Sequence, residues 1–315
     1  MSGLAVWCEG KELDQSCACP YEMHFNLWTN IKPYVLDIGI KVKYVKELQN
    51  LCLYFPFKLS KDSITDLGKT ITSSKLLLNT VFNEYYTKEE DAEPKQIAIR
   101  DNGATVFYVY QLDINNDIDV SNKYNGTILT IKLSDRKNLK EEQMYYFRFR
   151  CSALNLNKIV EKRTNLNLLN ALLIENDFID FRLNDWRSLN NDSLIEHVRN
   201  SRIKDYCLKK VNFFVMTNGS IEIISNTKKS ERKLEKGIWE NYIQFDKNQV
   251  ILAHQWQQKI NSEQISNAES IENFNAYLKF KKQWLNWATV LGYAILIVII
   301  NLISSFLSKI LLGGC

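Results

Sequence analysis

Between Tyr34 and Tyr44 the chain alternates, with Leu36, Ile38, Ile40, Val42 and Tyr44 set against Asp37, Lys41 and Lys43. That period of two predicts a half-buried strand. Met144–Cys151 alternates in the same way, Tyr145, Phe147 and Phe149 against Tyr146, Arg148 and Arg150. Leu51–Leu59 is an apolar run broken by Pro56, which places it at a sheet edge or a bulge. Three Asn-Gly pairs stand beside strand-like runs. Asn102-Gly103 joins Gln96–Arg100 to Thr105–Leu112, Asn125-Gly126 opens Thr127–Leu133, and Asn218-Gly219 joins Val211–Met216 to Ile221–Ser225. Asn-Gly supplies the positive φ pair of a type I′ turn, so each pair predicts a hairpin.

Helical spacing is scarcer. Asp62 or Ser63 is placed to cap a short helix through Thr70, and Leu76–Tyr86 reads equally as helix or strand. Asn191–Lys210 opens on capping residues (Asn191, Asp192, Ser193) and sets Leu194, Ile195, Val198, Ile203 and Cys207 on one face. Ser230–Phe245 spaces Leu234, Ile238, Tyr242 and Phe245 for one side of a helix, and Glu263–Phe280 reads as a polar helical stalk. Lys88–Pro94 is expected to be an exposed acidic loop, and a boundary is expected within Ser152–Arg163. The predicted fold class is α+β: a strand-rich soluble domain with antiparallel hairpins, plus one C-terminal transmembrane helix. Its expected parts are a strand-rich region over 1–155, a mixed region over 156–262, a helical stalk over 263–286 and the membrane helix over 287–312.

That last segment is the plainest feature of the chain. From Trp287 to Ser308 no charged residue appears until Lys309, and about 20 apolar residues suffice to cross a bilayer core. Trp284 and Trp287 stand where interfacial aromatics belong, and Lys279, Lys281 and Lys282 precede them, so the large domain is expected on the cytoplasmic side. A buried core helix is the weaker reading of so long an apolar run. Tyr293, Asn301, Ser304, Ser305 and Ser308 fall near one helical face. Polar groups facing lipid are costly, so the stripe favours a neighbouring helix, and several chains together could line a pore. The plainer alternative has the serines bonding their own carbonyls, leaving Asn301 alone in need of a partner.

Composition narrows the setting. The chain has 315 residues, 45% hydrophobic and 24% charged, with a net charge of +4, a balance compatible with anionic lipid or nucleic acid but demanding neither. Seven cysteines, an odd number scattered along the chain with Cys52 and Cys207 in apolar stretches, suit a reducing compartment. The first residues carry neither a basic segment nor an apolar one, so no secretory signal is expected there.

Enzyme motifs for phosphate loops, dinucleotide folds, hydrolase elbows and zinc proteases are absent, and three histidines leave few candidates for acid–base work. His197 reads as a partly exposed helix residue and His254 as a packed one. No enzymatic activity, cofactor or metal is therefore expected. Cys8, Cys17, Cys19 and His24 form one candidate zinc set, but their spacing favours free thiols. Asp113–Asp119 resembles the start of a calcium loop without its glycine or closing glutamate; acids guarding a strand edge explain it better. Lys228, Lys229, Arg232, Lys233 and Lys236 form a basic cluster for nucleic acid or anionic lipid, against the plainer reading of a solvated face paired with Glu231 and Glu235. Arg148 and Arg150, expected to face outward among Tyr145, Tyr146 and Phe147, form a second candidate surface where bases could stack.

With a cytosolic domain on a minimal membrane segment, and with the segment Arg232-Lys-Leu-Glu235-Lys-Gly-Ile-Trp239-Glu-Asn-Tyr242, the chain resembles the membrane effectors of bacterial anti-phage defence, most of all the channel-type effector of the Hailong system. The resemblance is one of architecture and carries over no functional residue. It implies a bacterial inner-membrane location and a homo-oligomer, taken as a tetramer. It also implies a nucleotide or short single-stranded DNA ligand made by a partner nucleotidyltransferase. The expected function is a sensing domain that gates a pore of C-terminal helices, depolarising the membrane and arresting or killing the cell. The alternative is a tail-anchored, non-conducting scaffold that recruits a cytosolic partner.

Overall fold

Alternation governs the body of this chain more widely than its helical spacing suggested. The computed structural model describes residues 3–11, 19–90, 95–133, 139–140, 143–152, 156, 159–167, 172–189, 191–219, 221–224, 230–245, 249–260, 269–285 and 287–312. In chain order its elements begin β1 (Ala5–Gly10), β2 (Cys19–Trp28), β3 (Val35–Lys43), β4 (Leu48–Phe55), β5 (Ile64–Asp66), α1 (Gly68–Ile71) and α2 (Lys75–Phe82). There follow β6 (Thr87–Glu90), β7 (Gln96–Asp101), β8 (Ala104–Tyr110), α3 (Ile114–Asp117), β9 (Ile118–Ser121), β10 (Thr127–Lys132) and β11 (Met144–Cys151). The rest are β12 (Val160–Asn167), β13 (Leu172–Leu183), α4 (Asp192–Ser201), β14 (Tyr206–Asn218), β15 (Glu222–Ile224), β16 (Ser230–Lys233), β17 (Ile251–Lys259), β18 (Phe274–Leu285) and α5 (Trp287–Leu312).

The strands build three sheets. A central mixed sheet runs β16-β17-β14-β2-β3-β11-β8-β7-β6, with β5 on β11; two four-stranded sheets run β1-β4-β10-β9 and β12-β13-β18-β15. One face of the central sheet, including Met23, Phe25, Ile38, Ile40, Phe147 and Phe213, packs against inward residues of both smaller sheets, such as Leu53, Leu129, Phe181 and Leu278. Phe181 of β13 stacks on Phe213 of β14 at 4.2 Å and 14°. Each such side chain contributes about 1.5–3 kcal/mol by leaving water. The smaller sheets meet where Leu4 bridges Leu183, and Asn184 Oδ1 accepts from the Val6 amide at 2.8 Å. The central sheet's second face is covered only in part: α1, α2 and the Trp239–Ile243 segment form a second core with Trp28, Phe107 and Tyr146.

The strand-rich α+β class with antiparallel hairpins is what this structure has. β3, β11 and the Asn102-Gly103 hairpin of β7 and β8 lie as predicted, and Asn125-Gly126 leads into β10 opposite β9. Asp119 sits on β9, an edge strand, and ion-pairs with Lys132. α2 settles the Leu76–Tyr86 ambiguity, its amide ends capped by Ser74.

Other expectations give way. No hairpin forms at Asn218-Gly219, because β14 pairs with β2 and β17 while β15 joins the third sheet beside β18. β4 is an interior strand that ends before Pro56, so the proline breaks no ladder. The helix from Asn191 stops at Ser201, and Cys207 belongs to β14. Ser230–Phe245 is strand β16 followed by a short 3-10 turn at Trp239–Asn241, its apolar residues reaching the core from an irregular backbone. Lys61–Ser63 is a 3-10 turn leading into β5, with α1 confined to Gly68–Ile71. Thr87–Glu90 is the charged edge strand β6, and 91–94 lie outside the described residues.

The stalk differs most. Phe274, Ala276, Leu278 and Phe280 are buried and alternate with Asn275, Tyr277, Lys279 and Lys281, so the described part is strand, held between β13 and β15. The break near residue 155 also separates no two bodies, since the central sheet takes β2, β3 and β11 from before it and β14 and β17 from after it.

One residue past β18, α5 begins. It is apolar enough over Trp287–Ser308 to cross a membrane, and none of that stretch is buried against the body. Its 26 residues span about 39 Å, which exceeds a hydrocarbon core of ~30 Å.

Candidate ligand pocket on the central sheet

Strand parity puts Glu22, His24 and Asn26 of β2, Lys41 of β3, Arg148 of β11 and Lys210 and Asn212 of β14 on the second face of the central sheet. Where α1 and α2 leave that face open lies a cavity of about 560 Å³. The C-terminal end of α2 walls it with Phe82, and Tyr86 follows; Ser230–Arg232, Leu234 and Trp239 close the opposite side. A volume in this range fits a small molecule.

Arg148 is at the floor and only 2% exposed. Its Nε donates to the Tyr242 hydroxyl at 2.8 Å and its Nη1 to the Tyr146 hydroxyl at 2.7 Å. With the Asn26 amide turned so that its oxygen faces the guanidinium, Nη2 donates to it at 2.7 Å. Burial works against this cation, but the two phenols and the nearby Asp37 hold its pKa above the ordinary value, so it stays charged. Asp37, fully buried, is itself occupied: Arg150 grips it through Nε at 2.6 Å and Nη2 at 3.0 Å, and the Trp28 indole donates at 2.8 Å. Two guanidiniums thus share one carboxylate, and the partners of Arg148 are neutral oxygens. Gly39, opposite Arg148 on β3, makes the arrangement fit, because a methyl there would run into the Tyr146 hydroxyl.

Around this floor the groups are mixed. His24 Nδ1 stands 3.3 Å from the Tyr146 hydroxyl and Nε2 stands 3.7 Å from Glu22. Burial pushes the imidazole pKa down, Glu22 opposes it, and the Arg148 and Lys210 cations reinforce it. Burial pushes Glu22 up, but His24, Lys41 and Lys210 together hold it below its ordinary range. Asn212 Oδ1 accepts from Gln257 Nε2 at 2.6 Å. His24 thus stands between the Tyr146 hydroxyl, which also accepts from Arg148, and the Glu22 carboxylate.

The predicted sites fare unevenly. Arg148 and Arg150 do not face outward, and Tyr145, Tyr146 and Phe147 are fully buried, because packed layers cover β11 on both sides. Of the basic cluster, Arg232 reaches the pocket rim and lies 3.7 Å from Glu235, whereas Lys233 and Lys236 are exposed; Lys228 and Lys229 lie outside the described residues. The zinc set does not assemble: Cys8 and Cys19 are buried in the main core, His24 turns to the opposite face of β2, and Cys17 lies outside the described residues. Burial pushes the Cys8 thiol up, away from the thiolate a metal needs. Asp113 accepts from the amides of Asn115 and Asn116, which makes it the cap of α3. His197 is half-buried and packs edge-on against Trp7; His254 is buried against Thr217, 3.0 Å away. On α5, Tyr293 is half-buried and Asn301, Ser304, Ser305 and Ser308 are exposed, with the Ser308 hydroxyl donating to the Ser305 carbonyl at 2.9 Å. Lys279 and Lys281 project from β18, and Trp287 is exposed at the start of α5; the side chains of Lys282 and Trp284 lie outside the description.

Glu22, Asn26, Lys210 and Asn212 went unnoticed in the sequence, where His24 stands only as a candidate zinc ligand and Lys41 only as the polar side of a strand. The available signal was the polar alternation Glu22-His24-Asn26 against Tyr21, Met23 and Phe25, which marks a strand with one wet face. Compared with known proteins, the chain matches no family model and no curated protein.

Proposed function

We propose that the protein is a membrane-anchored sensor effector, whose soluble body binds a ligand in the central-sheet pocket and governs a pore built from several copies of α5. The observation that carries this reading is the passage of β18, an inner strand of the third sheet, into α5 across a single residue. With one residue between strand and helix, a shift of that sheet is passed to α5 over a short length of chain. The third sheet also packs on the reverse side of the pocket-bearing sheet, through Phe181 on Phe213, so ligand and anchor bear on opposite faces of one layer. Coupling of a few kcal/mol between two such states is enough to change their populations substantially.

The exposed polar stripe Asn301, Ser304, Ser305 and Ser308 supports assembly, because an amide in hydrocarbon requires a partner. The architectural likeness to anti-phage membrane effectors supports depolarisation and growth arrest as the outcome, in a bacterial inner membrane. In the test, the full chain is reconstituted in liposomes and its oligomeric state and ion flux are measured. An oligomer that conducts, with flux reduced by Asn301→Leu while insertion persists, is the expected result. A monomer, or an oligomer that never conducts, leaves the non-conducting scaffold as the function.

A further inference from the structure

The charge arrangement beneath the pocket restricts what fills it. Arg148 brings a full positive charge to a floor that is only 2% exposed, and its hydrogen-bond partners there are the neutral oxygens of Tyr146, Tyr242 and Asn26. The nearest carboxylate, Asp37, is held by both arms of Arg150 and by Trp28. Arg148 and Arg150 share that one carboxylate, which leaves a surplus positive charge beneath the pocket; such a charge is costly, and a guanidinium in a dry site prefers an oxyanion. Lys41 and Lys210 add two more cations to the lining against the single carboxylate of Glu22, and Arg232, 3.7 Å from Glu235, a fourth at the rim. Three acids also line the space. Glu22 faces His24 and offsets Lys41 and Lys210, Glu231 lies 3.4 Å from His254, and Glu84 is exposed at the mouth. Phe82, Tyr86 and Phe214 complete the lining with partly exposed rings that can take a flat group.

We infer that the pocket binds a small planar acid, an oxyanion group carried on an aromatic ring system, with the oxyanion toward Arg148 and Lys210 and the ring against Phe82, Tyr86 and Phe214. This rests on reading the soluble body as a ligand-sensing unit, and it adds the chemical class of the ligand. The cavity of about 560 Å³ holds one such unit of roughly mononucleotide size.

The test is isothermal titration of the full chain in detergent with three probes: inorganic pyrophosphate, adenosine and adenosine monophosphate. Adenosine monophosphate is expected to bind best, because it alone offers both groups. Lys210→Gln is expected to weaken it about tenfold, the usual effect of losing a charge-assisted hydrogen bond. Phe82→Leu is expected to weaken adenosine monophosphate and leave pyrophosphate unchanged. Arg148→Met probes the floor directly but endangers folding, so the two peripheral variants decide the matter. No binding by any probe at millimolar concentration, or binding indifferent to Lys210→Gln, overturns the inference. The liposome flux assay separates the two claims: binding without conduction removes the pore and keeps the ligand class, and conduction without binding does the reverse.

Discussion

Asp37 shows how one side chain can hold a floor together. Fully buried, it answers Arg150 and orients Trp28, and it is the carboxylate nearest to Arg148. Asp37→Asn leaves the half-buried Arg150 without its countercharge and is expected to cost about 3 kcal/mol, read as a lowered denaturation midpoint in urea. His24 offers a subtler check. Its native pKa lies below the ordinary 6.5, so between those two values the unfolded chain holds a proton that the folded chain does not. Stability is therefore expected to fall on acidification through that window and to level off above it. His24→Gln should flatten this part of the profile of unfolding free energy against pH, and an unchanged slope assigns the proton elsewhere. Neither residue advertised its role. Asp37 reads in the sequence as the wet side of a half-buried strand, and only the covering by α1, α2 and Trp239–Ile243 turns that side into an interior.

At the scale of elements, local chemistry was legible and long-range pairing was not. Asn102 and Gly103 have φ values of 47° and 85°, the pair the turn demands, so β7 and β8 were readable from two residues. Nothing approaches the space a Gly103 side chain would occupy, so Gly103→Ala is expected to cost only the left-handed backbone term, about 1 kcal/mol. A thermal melt showing a much larger loss means the turn carries contacts beyond its backbone. Asn218-Gly219 has the same letters, yet its flanking strands join different sheets. Strand β18 misled for another reason: its outward face is polar and its inward face apolar, and over a few turns such a sequence also satisfies a helix. Partners decide between the two, and β13 supplies twelve consecutive ones.

For the molecule as a whole, the membrane segment was readable because it depends on composition alone, whereas the pocket depends on six strands meeting in one sheet. By the positive-inside rule, the lysines before α5 predict a body on the cytoplasmic side. A cysteine introduced at exposed Lys236 is then expected to resist a membrane-impermeant maleimide in intact cells and to react after lysis; labelling before lysis reverses the topology. The native Cys8 cannot serve as that probe, since it is buried. The join between β18 and α5 also has a mechanical meaning. With α5 held in a bilayer as proposed, a pull on the helix reaches β18, and its twelve registered positions on β13 are there to share the load. On that reading, lateral stress in the bilayer would be delivered to the third sheet as a whole, and the anchor would act as a tether able to bear load.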